Sequence, residues 1–149
     1  RCDGQNVSNS AAFEVRVPTR QEDIDAVSKL EANAYQFSLF LYMNGGDHLA
    51  EALSLSEELA EGTSAYAALC RAVLAINYAA PSYNVREGKM RRSADLRKVD
   101  RYFPDAPSEV HPFLLKRALD AVRNRMSAAA LSTGLRARIR RVEEVTDGW

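Results

Sequence analysis

Residues 24–41 read IDAVSKLEANAYQFSLFL. Ile24, Val27, Leu30, Ala34, Phe37 and Leu41 recur at steps of three and four, so they fall along one side of an α-helix, and Leu39 and Phe40 widen that side. A helix with so broad an apolar face has to be covered by others, which makes it the expected centre of a bundle. Thr19 or Asp23 is placed to cap its start, and the acids at 22, 23 and 25 suit the positive end of the helix. Asn44-Gly45-Gly46 is its expected stop.

Downstream the helical period continues. Asp47 caps a second segment, about His48 to Ala60, with Leu49, Leu53, Leu55 and Leu59 apolar, Glu51, Glu57, Glu58 and Glu61 wet, and Gly62 closing it. Thr63 or Ser64 opens a third through Tyr66, Leu69, Cys70, Val73, Leu74 and Ile76, ending before Pro81. Short turns between three successive helices favour antiparallel neighbours. Residues 81–93 form the longest non-periodic connection, basic and holding Gly88, which makes it a functional-loop candidate. Ser93 then caps a short helix, Ala94 to Phe103, that Pro104 stops. Ser108 caps a long one with Pro112 in its first turn and Leu115, Leu119, Val122 and Met126 inward, broken at Thr133-Gly134. The last segment sets Leu135, Ile139 and Val142 on one face, a helical spacing, with a strand as the alternative.

Upstream, Phe13-Glu14-Val15-Arg16-Val17 alternates apolar and charged residues, as a half-buried strand does, and Pro18 ends it. Residues 1–12 are small and polar. The expected fold is therefore all-α. A flexible lead-in (1–12) precedes one domain over 13–149, a helical bundle of about five to six helices with a short strand-like segment at 13–17.

The 149 residues suffice for one domain with a core, and 46% apolar with 27% charged side chains is an ordinary globular balance. The longest apolar candidate, Ala32 to Met43, is interrupted by Asn33, Gln36 and Ser38, so a membrane span is not expected. The chain opens on Arg1, which reads as a processed product or a part of something longer. Cys2 and Cys70 allow at most one disulfide; Cys70 sits in an apolar helical context, where a free buried thiol is expected. An intracellular, reducing setting is favoured, although Asn6-Val7-Ser8 satisfies the short glycosylation pattern.

Common chemistries are missing from the sequence. It contains no phosphate-cradling glycine loop, Gly-x-Ser-x-Gly elbow, His-Glu-x-x-His or Cys-x-x-Cys. Two histidines, His48 and His111, could share a zinc ion with Asp47, but surface or capping roles are the plainer reading. Carboxylates one or two apart on a helix (Asp23/Asp25, Glu57/Glu58, Glu143/Glu144) point in different directions and make no acid–base pair. No catalytic residue, metal or cofactor is expected, and an enzyme is the residual class.

Charge is the informative feature. The formal net charge is zero, yet residues 1–85 carry five basic and eleven acidic side chains and residues 86–149 fifteen and nine, balances of −6 and +6. Sixteen of the twenty cations are Arg, which suits bidentate contact to phosphate or carboxylate, or simply reflects a GC-rich genome. Arg86, Lys89, Arg91, Arg92, Arg97, Lys98 and Arg101 crowd into sixteen residues beside Tyr83, Tyr102 and Phe103. Guanidiniums near aromatic rings suit a single-stranded nucleic acid; the plain structural reading makes the cations a solvated coat and the rings core. Arg136, Arg138, Arg140 and Arg141 form a secondary basic surface. The split also suits acidic helices of one copy meeting the basic half of another, in a homo-oligomer whose logic is that of a coat protein or nucleoprotein. The expectation is a non-catalytic helical assembly and binding module whose Arg-rich half contacts nucleic acid or an acidic neighbouring subunit. The alternative is a monomeric protein–protein interaction adaptor or effector domain.

Overall fold

The computed structural model describes residues 17–42, 49–84, 86–105 and 110–147. At its centre lies α4 (Ala67–Ala79), AALCRAVLAINYA, which lacks acids and has Arg71 as its only charge. Every residue from 72 to 80 is buried. A helix apolar all round is a core helix, and its many alanines let neighbours approach closely on several sides. α4 packs against α3 (Ala50–Glu61), α5 (Leu96–Tyr102) and α6 (Pro112–Arg125); α7 (Thr133–Thr146) lies on α6. Cys70 is fully buried and free, and burial pushes its thiol up to about 12.

The described residues are 69% helical, with seven α-helices and one small antiparallel sheet. The mainly helical character matches the expectation, but the expected central helix over 24–41 does not form as one piece. It divides into α1 (Gln21–Ala32) and α2 (Ala34–Tyr42) at Asn33, whose φ of −115° and ψ of 18° leave the helical region. The Asn33 amide donates to the Lys29 carbonyl at 2.9 Å, the local side-chain-to-backbone bond by which Asn competes with helix propagation. The bend splits the apolar stripe. Phe37 and Phe40 of α2 are buried, whereas Ile24 is 40% and Leu39 38% exposed. The pair α1–α2 therefore flanks α3, and the central place falls to α4.

Several caps also differ from expectation. Arg20, not Thr19 or Asp23, occupies the cap position of α1. Buried Asp23 instead reaches across to accept the Ala65 backbone N–H at 2.6 Å, placing a carboxylate at the start of α4, where the helix dipole favours it. Asp95 rather than Ser93 caps α5, its carboxylate accepting from the Lys98 N–H at 3.1 Å. His111 caps α6, its Nδ1 accepting from the Phe113 N–H at 3.2 Å. Ser108 and the sites at Asp47 and His48 lie outside the described residues. Thr133 and Gly134 do not break a helix; they open α7, capped by Ser132. α7 is helical, not a strand, with Leu135, Ile139 and Val142 buried as their spacing requires. Of the strand-like stretch 13–17 only Val17 is described, and it is 83% exposed.

The basic connection is a hairpin. β1 (Ser82–Asn84) pairs antiparallel with β2 (Lys89–Arg92), matching Ser82 with Arg92, Tyr83 with Met90 and Asn84 with Lys89. Arg91 is the extra residue of a bulge between the first two pairs. Gly88 supplies the left-handed φ of 63° that turns the chain back. The period-2 signal was too short and too charged to be visible in the sequence.

The split of α1–α2 carries a test. Phe40→Ala removes a fully buried ring and is expected to cost about 3–5 kcal/mol, whereas its neighbour Leu39→Ala costs less than about 1 kcal/mol. Urea melts of the two variants check this; equal losses would mean that one continuous apolar face is buried after all.

Candidate functional site

The seven clustered cations divide into two groups. Arg92, Lys98 and Arg101 are committed within the chain. The Arg92 guanidinium donates to the carbonyls of Asn77 and Ser93, each at 3.1 Å, and lies 5.0 Å from the centre of the Tyr78 ring. The Asp95 N–H takes the Tyr78 carbonyl at 2.9 Å. The carbonyl end of α4 is thus satisfied by the residues that follow it, with a cation where the helix dipole is negative.

Beneath the hairpin, Glu57 of α3, Tyr78 of α4 and Lys98 of α5 close a hydrogen-bonded ring. Lys98 donates to Glu57 at 2.6 Å and to the Tyr78 hydroxyl at 2.8 Å, and that hydroxyl donates to Glu57 at 2.7 Å. Burial pushes Glu57 up, but the hydrogen bonds from Lys98 and Tyr78 outweigh it and hold the carboxyl below its ordinary value. Burial raises the Tyr78 hydroxyl to about 12. One turn on, Arg101 pairs with Glu61 at 2.9 Å and lies 5.4 Å from the Tyr102 ring centre. Tyr102 and Phe103 are core; Tyr102 stacks on Tyr78 with centroids 6.1 Å apart. Their expected availability to bases is therefore not met.

Arg86, Lys89, Arg91 and Arg97 form the other group. All four are exposed, and their side chains have no ion-pair or hydrogen-bond partner among the described residues. The Asn84 carboxamide accepts the Arg86 backbone N–H at 3.1 Å and shapes the hairpin's turn. Beside them Tyr83 is 55% and Met90 56% exposed. The chain matches no protein family, no curated protein and no solved structure.

The secondary basic surface divides in the same way. Arg136, Arg140 and Arg141 are exposed on α7. Arg138 is only 13% exposed; it donates to the Phe103 carbonyl at 2.9 Å and pairs with Asp100 and, at 3.4 Å, with Asp105, tying α7 to the end of α5. Among the described residues no three His, Cys, Asp or Glu side chains converge on a metal-sized space. A groove of about 700 Å³ along α6 and α7 is lined by opposed charges including Lys116, Arg123, Glu143 and Asp147.

Glu57 reads in the sequence only as a wet carboxylate of the second segment, and its partner Tyr78 is not singled out there. Glu57 and Glu61 are one turn apart, as are Lys98 and Arg101, and that matched spacing of acids and bases is the signal that could have found them.

The division of cations yields two tests. Arg138→Ala should cost about 2–3 kcal/mol by breaking half-buried charged hydrogen bonds, whereas Arg141→Ala should stay within about 0.5 kcal/mol; thermal melts compare them. Glu57→Gln should cost about 1 kcal/mol near neutral pH, a figure reduced for the pair's partial exposure. Because the folded carboxyl is held below its ordinary value, Glu57's contribution is complete above that value and is lost as pH falls through the folded one. Melts of the two proteins should therefore converge in acid; a gap independent of pH would contradict the charged ring.

Proposed function

We propose that this chain is a non-catalytic helical binding module that holds nucleic acid on the outward cations of its hairpin and α5, with self-assembly along the strand giving it coat- or nucleoprotein-like logic. The observation that carries this reading is the sorting of the charges. Arg86, Lys89, Arg91 and Arg97 stand exposed without partners among the described residues, while the neighbouring cations are used internally. A cation kept exposed beside others of its sign is repelled by them, and a polyanion relieves that repulsion and releases its own counterions on contact.

Nucleic acid is better supported than an acidic neighbouring subunit. The acids of α3 that a head-to-tail contact would need are engaged within the chain. Glu57 meets Lys98, Glu61 meets Arg101, Glu58 meets Lys29 and Glu51 meets Gln36. A protein-interaction adaptor is the second reading, favoured by Phe113, 54% exposed beside an apolar hollow shared with Leu41, Leu69 and Leu114.

The decisive variant is Arg86→Glu, Lys89→Glu, Arg91→Glu combined, which spares the structural Arg92. It is expected to melt like the parent and to lose oligonucleotide binding. In the parent, log Kd against log salt should be steep; each phosphate contact removed by a single Arg→Ala change should flatten it by roughly one unit. Dissociation of an assembly with oligonucleotide binding intact would instead identify an acidic subunit as the partner. No change in either binding or solution mass would make the cations a solvated coat and end the proposal.

A further inference from the structure

The hairpin has two unlike faces. Successive side chains of a strand alternate, so the partners Ser82 and Arg92 share one face and Tyr83 and Met90 the other. The first face is turned inward: Ser82 is buried and Arg92 is bound to the end of α4. The second presents a phenol ring and a thioether side by side, both more than half exposed. Neither belongs to the core cluster, so packing gives no reason for them. Arg91, the bulge residue, adjoins Met90, and Arg86 and Lys89 follow at the turn end of the same ribbon.

We infer that the Tyr83 ring, backed by Met90, is a stacking platform for an unpaired base, with Arg86, Lys89 and Arg91 on the flanking phosphates, and that the ligand is therefore single-stranded. This rests on the nucleic-acid reading above and adds which residue discriminates strand type. In a duplex both faces of every internal base are already stacked and unavailable to a side chain. In a single strand they are open, and an aromatic ring accepts any base. The inward anchoring of Arg92 fixes the base of the ribbon, so the ring is presented on a supported element rather than a loose loop.

The test measures Kd by fluorescence anisotropy for the parent, Tyr83→Ala and Tyr83→Trp. Three probes of equal length are used: oligothymidylate, the same backbone with abasic sugars, and a duplex. The parent should bind oligothymidylate more tightly than the other two. Tyr83→Ala should weaken oligothymidylate binding by about ten- to a hundredfold and leave the abasic strand unchanged, and Tyr83→Trp should restore the loss. Tyr83 lies outside the core, so the melts should coincide, and the Trp variant supplies an independent readout if they do not. Equal weakening of both single strands, no weakening of either, or a duplex bound as tightly as oligothymidylate overturns the stacking role while leaving the polyanion reading in place. Parent protein that binds none of the three overturns both.

Discussion

α4 is enclosed along most of its length, with every residue from 72 to 80 buried, and that constraint organises the molecule. An α-helix leaves carbonyls unbonded at one end and N–H groups at the other, and where the ends are enclosed these groups need partners from elsewhere. Just before the start of α4 the Ala65 N–H is taken by Asp23, carried in from α1, and the Ala67 N–H by the Ser64 carbonyl. At its end the Asn77 and Tyr78 carbonyls are taken by the Arg92 side chain and the Asp95 backbone. Elements far apart in sequence are thus drawn to the two ends of one helix. The hairpin's attachment follows from the same need, because Arg92 is at once the last residue of β2 and the cap of α4.

The polarity of the chain, acidic first and basic second, is resolved largely inside the molecule. α3 brings its carboxylates and α5 its cations together beside Tyr78 and Tyr102, where they pair with one another. Exposed ion pairs of this kind contribute little each, and the Glu57–Tyr78–Lys98 ring is distinguished by its shared hydroxyl and partial burial. What remains after this internal matching is an excess of positive charge on the hairpin, on the outer side of α5 and on α7. A composition that looks uniformly Arg-rich therefore contains two populations. Arg92 and Arg138 act as long donors to backbone carbonyls, and Arg86, Arg91 and Arg97 reach into solvent.

Helical segments were legible in the sequence because their apolar residues recur at the right period, and α3, α4 and α7 lie close to where that period puts them, whereas α6 ends at Arg125, with Met126 already extended, well before the expected break at Thr133. Rank within the bundle was misread. Phe37, Phe40 and Leu41 drew attention to residues 24–41 by their size, whereas the sign of a central helix was the near absence of charge around α4, whose alanines carry little weight in any count of large apolar groups. Asn33 could be seen in the sequence, but whether an Asn bends a helix or merely decorates it depends on what the two halves pack against. The basic site was legible as a composition and not as a geometry. Which Arg is a cap and which is exposed is decided by contacts across fifteen or more positions, such as Arg92 to Asn77 and Arg138 to Phe103, that no local pattern records.

The alanines of α4 have a consequence for how such a chain can change over generations. Ala72, Ala75 and Ala79 are completely enclosed, so any larger side chain there must push a neighbouring helix away, and the residues with the least chemistry are the hardest to replace. The outer face of the hairpin carries no such restriction: Tyr83, Arg86, Lys89, Met90 and Arg91 can each be exchanged with little disturbance to the fold. Side chains can drift on that ribbon while the scaffold beneath it stays unchanged. Relatives of this chain would then be recognised by a quiet run of small residues, and told apart by the hairpin that follows it.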